Sequence, residues 1–162
     1  KKLLKDCEQE FRVTSYEGTD KIQETLNECY QKGEKAFACY CGGESWNLLV
    51  LKDPAVMKTY LPGKSKASQE LDVAVLHTMI LEKYLGIDKE NMAKQINLSY
   101  TRDLDEALES VRQKKSQCAF LMNPTRVTEI RDVAAAGEKM PQKSTYFYPK
   151  LITGLAMNKM DF

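Results

Sequence analysis

The stretch from Lys139 to Lys159 carries four lysines and no acidic residue. Within it, Lys143 and Lys150 flank the hydroxyls of Ser144, Thr145, Tyr146 and Tyr148. Ammonium groups and hydroxyl donors suit phosphate or carboxylate oxygens, so these residues are the candidate contacts for a small anionic ligand. Pro141 and Pro149 stiffen both ends of the run. If the run is extended, Thr145 and Phe147 face one way, and Ser144, Tyr146 and Tyr148 the other. The same composition also fits a surface strap whose aromatic rings pack on the domain. A phosphate-binding loop of the G-x-x-x-x-G-K-[ST] type is excluded in GEKMPQKST, from Gly137 to Thr145. Gln142 takes the second glycine position, and the run follows a helix where that motif needs a strand.

His77 is the only histidine, so any Ser-His-Asp arrangement would have to use it. It lies in LDVAVLHTMIL, a helix that is apolar on nearly all sides. Burial there disfavours the imidazolium and lowers its pKa, which suits a structural core residue. His77 is retained as a further candidate site residue. Asp72 lies off its helical face and near the helix start, where a carboxylate is favourable.

The five cysteines, Cys7, Cys29, Cys39, Cys41 and Cys118, are odd in number and irregular in spacing. No paired CxxC site or disulfide framework is present. Cys39 and Cys41 alternate along an expected strand and so point to one face of it. With a lone histidine they do not complete the four ligands of a structural zinc site, and no metal site is read. All five are expected as reduced thiols that pack like small hydrophobes, which implies a reducing, cytoplasmic compartment.

A chain of 162 residues is read as one domain, 1–162. The net charge of +1 lacks the basic excess that phosphate contacts require, so nucleic acid is not an expected partner. No apolar run approaches the ~20 residues of a membrane span, so no membrane partner is expected either. The longest such run, Val73 to Leu81, contains His77. The chain starts at Lys1 rather than Met and is read as a fragment of a longer protein.

The elements that must position these groups follow from pattern. Helices are expected at 1–10, 20–31, 54–60, 69–85, 104–114 and from 125 to Gly137, with Thr19 and Ser68 as caps and Gly33 as a stop. Strands are expected at 11–16, 36–41, 46–52, 96–101, 117–122 and 155–160. GGES between the second and third marks a hairpin. LPGKSKASQ, Leu61 to Gln69, is the candidate mobile loop. Two segments share a layout of strand, helix and strand, with Ser15-Tyr16 matching Ser99-Tyr100 and Ala36-Phe37 matching Ala119-Phe120. The fold class is therefore α/β (α+β), with a mixed sheet of about five or six strands, helices packed on it, βαβ units and one hairpin.

LDVAVLHTMILEKYLGI (Leu71 to Ile87), INLSYTRD, AFLMNPTRVTEI (Ala119 to Ile130) and AAAGEKMPQKSTYFYPKLITGL (Ala134 to Leu155) together resemble the domain-of-unknown-function family 1015 of bacteria and archaea. The resemblance covers roughly Phe37 to Leu155. It carries over no activity residue by residue. Full-length members look considerably longer, and their upstream half carries an Asp-Gly-His-His-Arg signature similar to the nucleotide-handling loop of ParB and sulfiredoxin-like proteins. No such run occurs here. The resemblance therefore implies the C-terminal part of a longer cytoplasmic protein. Its partner would be its own missing N-terminal half. No cofactor is evident, and a nucleotide is expected only in the full-length protein. The resulting functional expectation is an accessory or interaction domain, inactive as an isolated fragment. The alternative is part of a nucleotide- or phosphate-handling, small-molecule-kinase-like enzyme.

Overall fold

Paired glycines organise the centre of the fold. Gly42 and Gly43 take φ angles of +95° and +83°, open to glycine and strained for other residues. They turn strand β2 (Ala36–Tyr40) back into β3 (Ser45–Leu51), and Ala38 pairs with Leu48 in the antiparallel ladder. Gly33, at φ +73°, ends the preceding helix in the left-handed conformation that favours glycine. In this computed structural model residues 2–141 and 143–145 are described.

Helix α1 (Lys2–Cys7) leads into β1 (Phe11–Glu17), and α2 (Ile22–Gln31) crosses to β2. After β3, a 3-10 turn at Pro54–Val56 runs into α3 (Met57–Tyr60). Then come α4 (Lys66–Gln69), α5 (Asp72–Val75), a π-helical continuation at Leu76–Tyr84, and α6 (Lys89–Lys94). Helix α7 (Leu104–Arg112), strand β4 (Ala119–Met122) and helix α8 (Val127–Ala135) complete the described elements.

The sheet order is β1-β3-β2-β4, antiparallel throughout. The α/β class and the hairpin are as expected, but the described sheet has four strands rather than five or six. β1 and β2 do run parallel to each other, joined by α2, yet the hairpin inserts β3 between them. The second strand-helix-strand unit lacks its first strand. Residues 96–101 form no strand, and Ile96 is exposed. Their polar groups bond locally instead: the Asn97 N–H donates to Asn91 Oδ1 at 3.2 Å, and Thr101 Oγ1 donates to Glu106 and accepts from the Asp103 N–H. An alternating pattern makes a strand only where a sheet edge receives it. The layout that the two segments share in sequence is therefore not shared in the fold. The strand expected at 155–160 lies outside the described residues.

Helices cover both faces. Phe11, Phe37, Cys39, Leu49 and Leu51 pack against Met57, Val75, Met79 and Ile80 on one side. Ala36, Ala38, Tyr40, Trp46 and Leu48 meet Ile22 and Leu26 of α2, and Leu108 and Val111 of α7, on the other. Val133 of α8 joins a smaller cluster with Leu71, Val73 and Ala74.

Two expected caps move. Thr19 does not cap α2, whose first position follows Lys21 without a side-chain cap. Ser65 rather than Ser68 caps a helix, accepting the Ser68 N–H at 3.2 Å. The segment expected to be mobile is tied down. Glu138 accepts from the Ser65 N–H at 2.9 Å, from Ser65 Oγ at 3.2 Å and from Ser68 Oγ. Gln69 Nε2 donates to the Leu61 and Lys64 carbonyls at 3.1 and 3.0 Å.

Lys35 at the start of β2 meets Asp72 at the start of α5 at 2.9 Å, and the two side chains are only 16% and 8% exposed. Burial raises the Asp72 carboxyl above its usual range, against the opposing pull of Lys35. Lys35→Met leaves that carboxylate without a counter-charge, with an expected loss of about 3 kcal/mol at neutral pH. A carboxyl raised in the fold favours folding below its unfolded pKa, and that advantage is lost as pH rises through the folded value. Without Lys35 the shift grows, so urea denaturation between about pH 4 and pH 8 will show a deficit that widens with pH. A deficit of constant size would contradict this role.

Candidate functional site

Of the sequence-designated site residues, Lys143, Ser144, Thr145 and His77 lie among those described, whereas Tyr146, Tyr148 and Lys150 do not. Lys143 is exposed and takes φ +58°. Ser144 Oγ donates back to the Pro141 carbonyl at 2.6 Å, closing a tight turn. The chain therefore bends at Lys143, and an extended reading cannot begin before Ser144. Thr145 is exposed. His77 is half-buried in the π-helical segment, and burial lowers its pKa, as its apolar setting implies. No described contact brings His77 to the Lys143–Thr145 turn.

A cleft of about 480 Å³ opens at the end of the sheet where β1, the β2–β3 turn and the end of α7 meet. Its lining includes Glu17, Asp20, Glu44, Gly18, Gly43 and Arg112. Trp46 fixes one wall: its Nε1 donates to the Gly18 carbonyl at 2.9 Å, and its ring stacks on Tyr16 at 4.9 Å. Tyr40 fixes the other, donating its hydroxyl to the Gly43 carbonyl at 2.8 Å and accepting from Arg112 Nε at 3.3 Å. Three carboxylate residues against one guanidinium give this lining an acidic balance. It suits hydrogen-bond donors better than phosphate. The paired glycines of GGES are the sequence signal for this end of the sheet.

A second polar centre joins residues remote in sequence. Glu10, between α1 and β1, accepts from Lys83, from Tyr84 and, at 3.1 Å, from Tyr60. Lys83 also donates to the Tyr60 hydroxyl at 2.7 Å and sits 5.0 Å from that ring's centre. Burial alone would raise the Glu10 carboxyl, but the hydrogen bonds from Lys83 and Tyr84 outweigh it and hold the pKa below its usual range. Burial and then the bond to Glu10 raise the Tyr84 phenol, which keeps its proton at neutral pH. With Lys83 charged, Glu10 ionised and the Tyr84 phenol protonated, the cluster holds its protons rather than passing them. It ties the α1–β1 junction to α3 and the π-helical segment. No local motif announces it.

With this geometry in place, comparison with known proteins adds no relative: no family model, curated protein or solved structure matches the chain. Among the described residues no group of His, Cys, Asp and Glu is arranged to hold a metal ion, and no helix is long and apolar enough to cross a membrane.

A carboxyl depressed in the fold contributes stability above its unfolded pKa, and this is lost as pH falls through the folded value. Glu10→Gln should therefore cost about 1 kcal/mol at neutral pH, after allowing for partial solvent screening. Thermal melts of the two proteins should converge in acid. A gap that persists below the carboxylate range would contradict the ionised assignment.

Proposed function

We propose that this chain is an accessory, interaction domain of a longer protein, docking on the upstream part of that protein through the outer edge of β1. The observation that carries this reading is β1 itself. It spans seven residues, pairs only with β3 among the described residues, and is exposed at Arg12 and from Thr14 to Glu17. An edge strand of this length offers backbone donors and acceptors to a further strand. Tyr16, stacked on the buried Trp46, adds a half-exposed aromatic face beside it. The resemblance to domain-of-unknown-function family 1015 supports the occupant, since members of that family look longer upstream. Five free thiols support a reducing, cytoplasmic setting. In this reading the isolated chain is inactive.

The second reading, a contribution to nucleotide or phosphate handling, draws support from Lys143 and Thr145, both exposed beside the Ser144 turn. In it a nucleotide binds only to the full-length protein.

Co-expression of this chain with the upstream half of the full-length protein should yield a complex that survives size-exclusion chromatography. Two halves that elute separately would remove the docking reading. Titrating the full-length protein with ATP separates the second reading. Weaker binding by Lys143→Ala than by the parent supports it, and equal affinity contradicts it.

A further inference from the structure

Three of the five cysteines converge at the end of the β2–β4 ladder. The register that pairs Cys39 with Phe120 and Tyr40 with Ala119 continues one step to set Cys41 beside Cys118. Side chains alternate along strands, so Cys39, Cys41 and Cys118 share the sheet face that carries Phe37 and Phe120. Cys39 Sγ lies 3.7 Å from Cys41 Sγ, and the register places Cys118 across from Cys41 on the neighbouring strand. The three differ in access: Cys41 is exposed, Cys118 is half-buried, and Cys39 is fully buried.

We propose that Cys41 is a peroxide-reactive thiol and that Cys118 resolves it, closing a reversible cross-strand disulfide between β2 and β4. Residues directly opposite in an antiparallel pair have Cα atoms about 4.5 or 5.5 Å apart, and both distances fall within the disulfide range. Cys39 is two residues from Cys41 on a single extended strand, a span of about 6.5–7 Å at the limit of that range. It stays instead as a hydrogen-bond partner of Cys41 on the same strand.

The electrostatics agree with the geometry. Hydrogen bonds from Cys118 first and Cys39 second favour the Cys41 thiolate and lower its pKa, outweighing burial. The bond to Cys41 and then burial push the Cys39 and Cys118 thiols up. Burial likewise pushes Cys7 up to about 11 and raises Cys29. The shifts favour the thiolate on Cys41, the exposed residue of the three, which is the setting of a reactive cysteine.

The oxidant is hydrogen peroxide, and the step balances. The Cys41 thiolate attacks one peroxide oxygen, the O–O bond breaks, and the departing hydroxide takes up a proton to leave as water. Cys41 is now a sulfenic acid. The Cys118 sulfur attacks the Cys41 sulfur, the S–O bond breaks, and the proton from Cys118 leaves with the hydroxyl as a second water. Two thiols give up two electrons, and one peroxide becomes two waters. A dithiol reductant reverses the change by exchange.

The test treats the reduced chain with equimolar hydrogen peroxide and maps the product by mass spectrometry. The expected result is a loss of about 2 Da, a peptide joining Cys41 to Cys118, and full recovery with dithiothreitol. Cys118→Ser should stop at a sulfenic acid on Cys41 that dimedone traps, and Cys41→Ser should resist the same dose. Oxidation of Cys41→Ser at the parent rate would overturn the proposal, as would a disulfide through Cys7, Cys29 or Cys39, or one joining two chains. A measurement on the unsubstituted chain guards against a variant that fails to fold. Iodoacetamide should modify Cys41 on the order of tenfold faster than Cys7 or Cys29 at neutral pH, and equal rates would overturn the assignment.

Discussion

All five residues of β2 are buried, and the rest of the molecule is arranged around the need to cover that strand on both faces. Its side chains alternate between two different jobs. Ala36 and Ala38 are small and face α2, so the helix can lie close and seat Ile22 and Leu26 against the sheet. Phe37 faces the opposite side, where its ring meets that of Phe11 edge-to-face across β3, with centroids 6.3 Å apart. A strand buried on both faces must satisfy every backbone group within the sheet, which requires partners on both edges. The tight glycine turn supplies β3 on one side. The long excursion through α3 to α7 returns β4 on the other.

Once β2 is central, β1 and β4 become the outer strands of the described sheet, and each carries a feature of functional interest. β1 is long, polar on its exposed residues and anchored by Phe11 at one end and the Tyr16–Trp46 stack at the other. β4 is short and half-buried throughout. Its register against β2 decides which cysteine stands opposite Cys41. A slip of one residue would turn Cys118 to the other face and break up the thiol group. The packing that fixes the register also fixes the redox chemistry available at that end of the sheet.

Local signals in the sequence were enough for the parts built from neighbours. The GG turn, the Gly33 stop, the helix expected at 104–114, and the common face of Cys39 and Cys41 all depend on residues a few positions apart. What failed to show depended on partners distant in the chain. INLSYT alternates well but finds no sheet edge. LPGKSKASQ has the composition of a loose loop, yet Glu138 holds it. Glu10 meets Lys83 only after the chain has passed through β1, α2, the hairpin and the short helices α3 to α5. The pairing of Cys41 with Cys118 needed the β2–β4 register, which composition does not encode. For the lysine- and hydroxyl-rich run, Lys143 and Ser144 form a turn, and the residues from Tyr146 onward lie outside those described.

Residue-resolved amide hydrogen exchange tests the central claim most directly. If β2 is the covered centre and β1 an edge open to a partner, β2 and β3 amides will all exchange at the slow, global limit. Along β1 slow and fast amides will alternate, with the outward set exchanging quickly until the upstream half is added. Uniformly slow exchange along β1 in the isolated chain, or fast exchange within β2, would contradict the account.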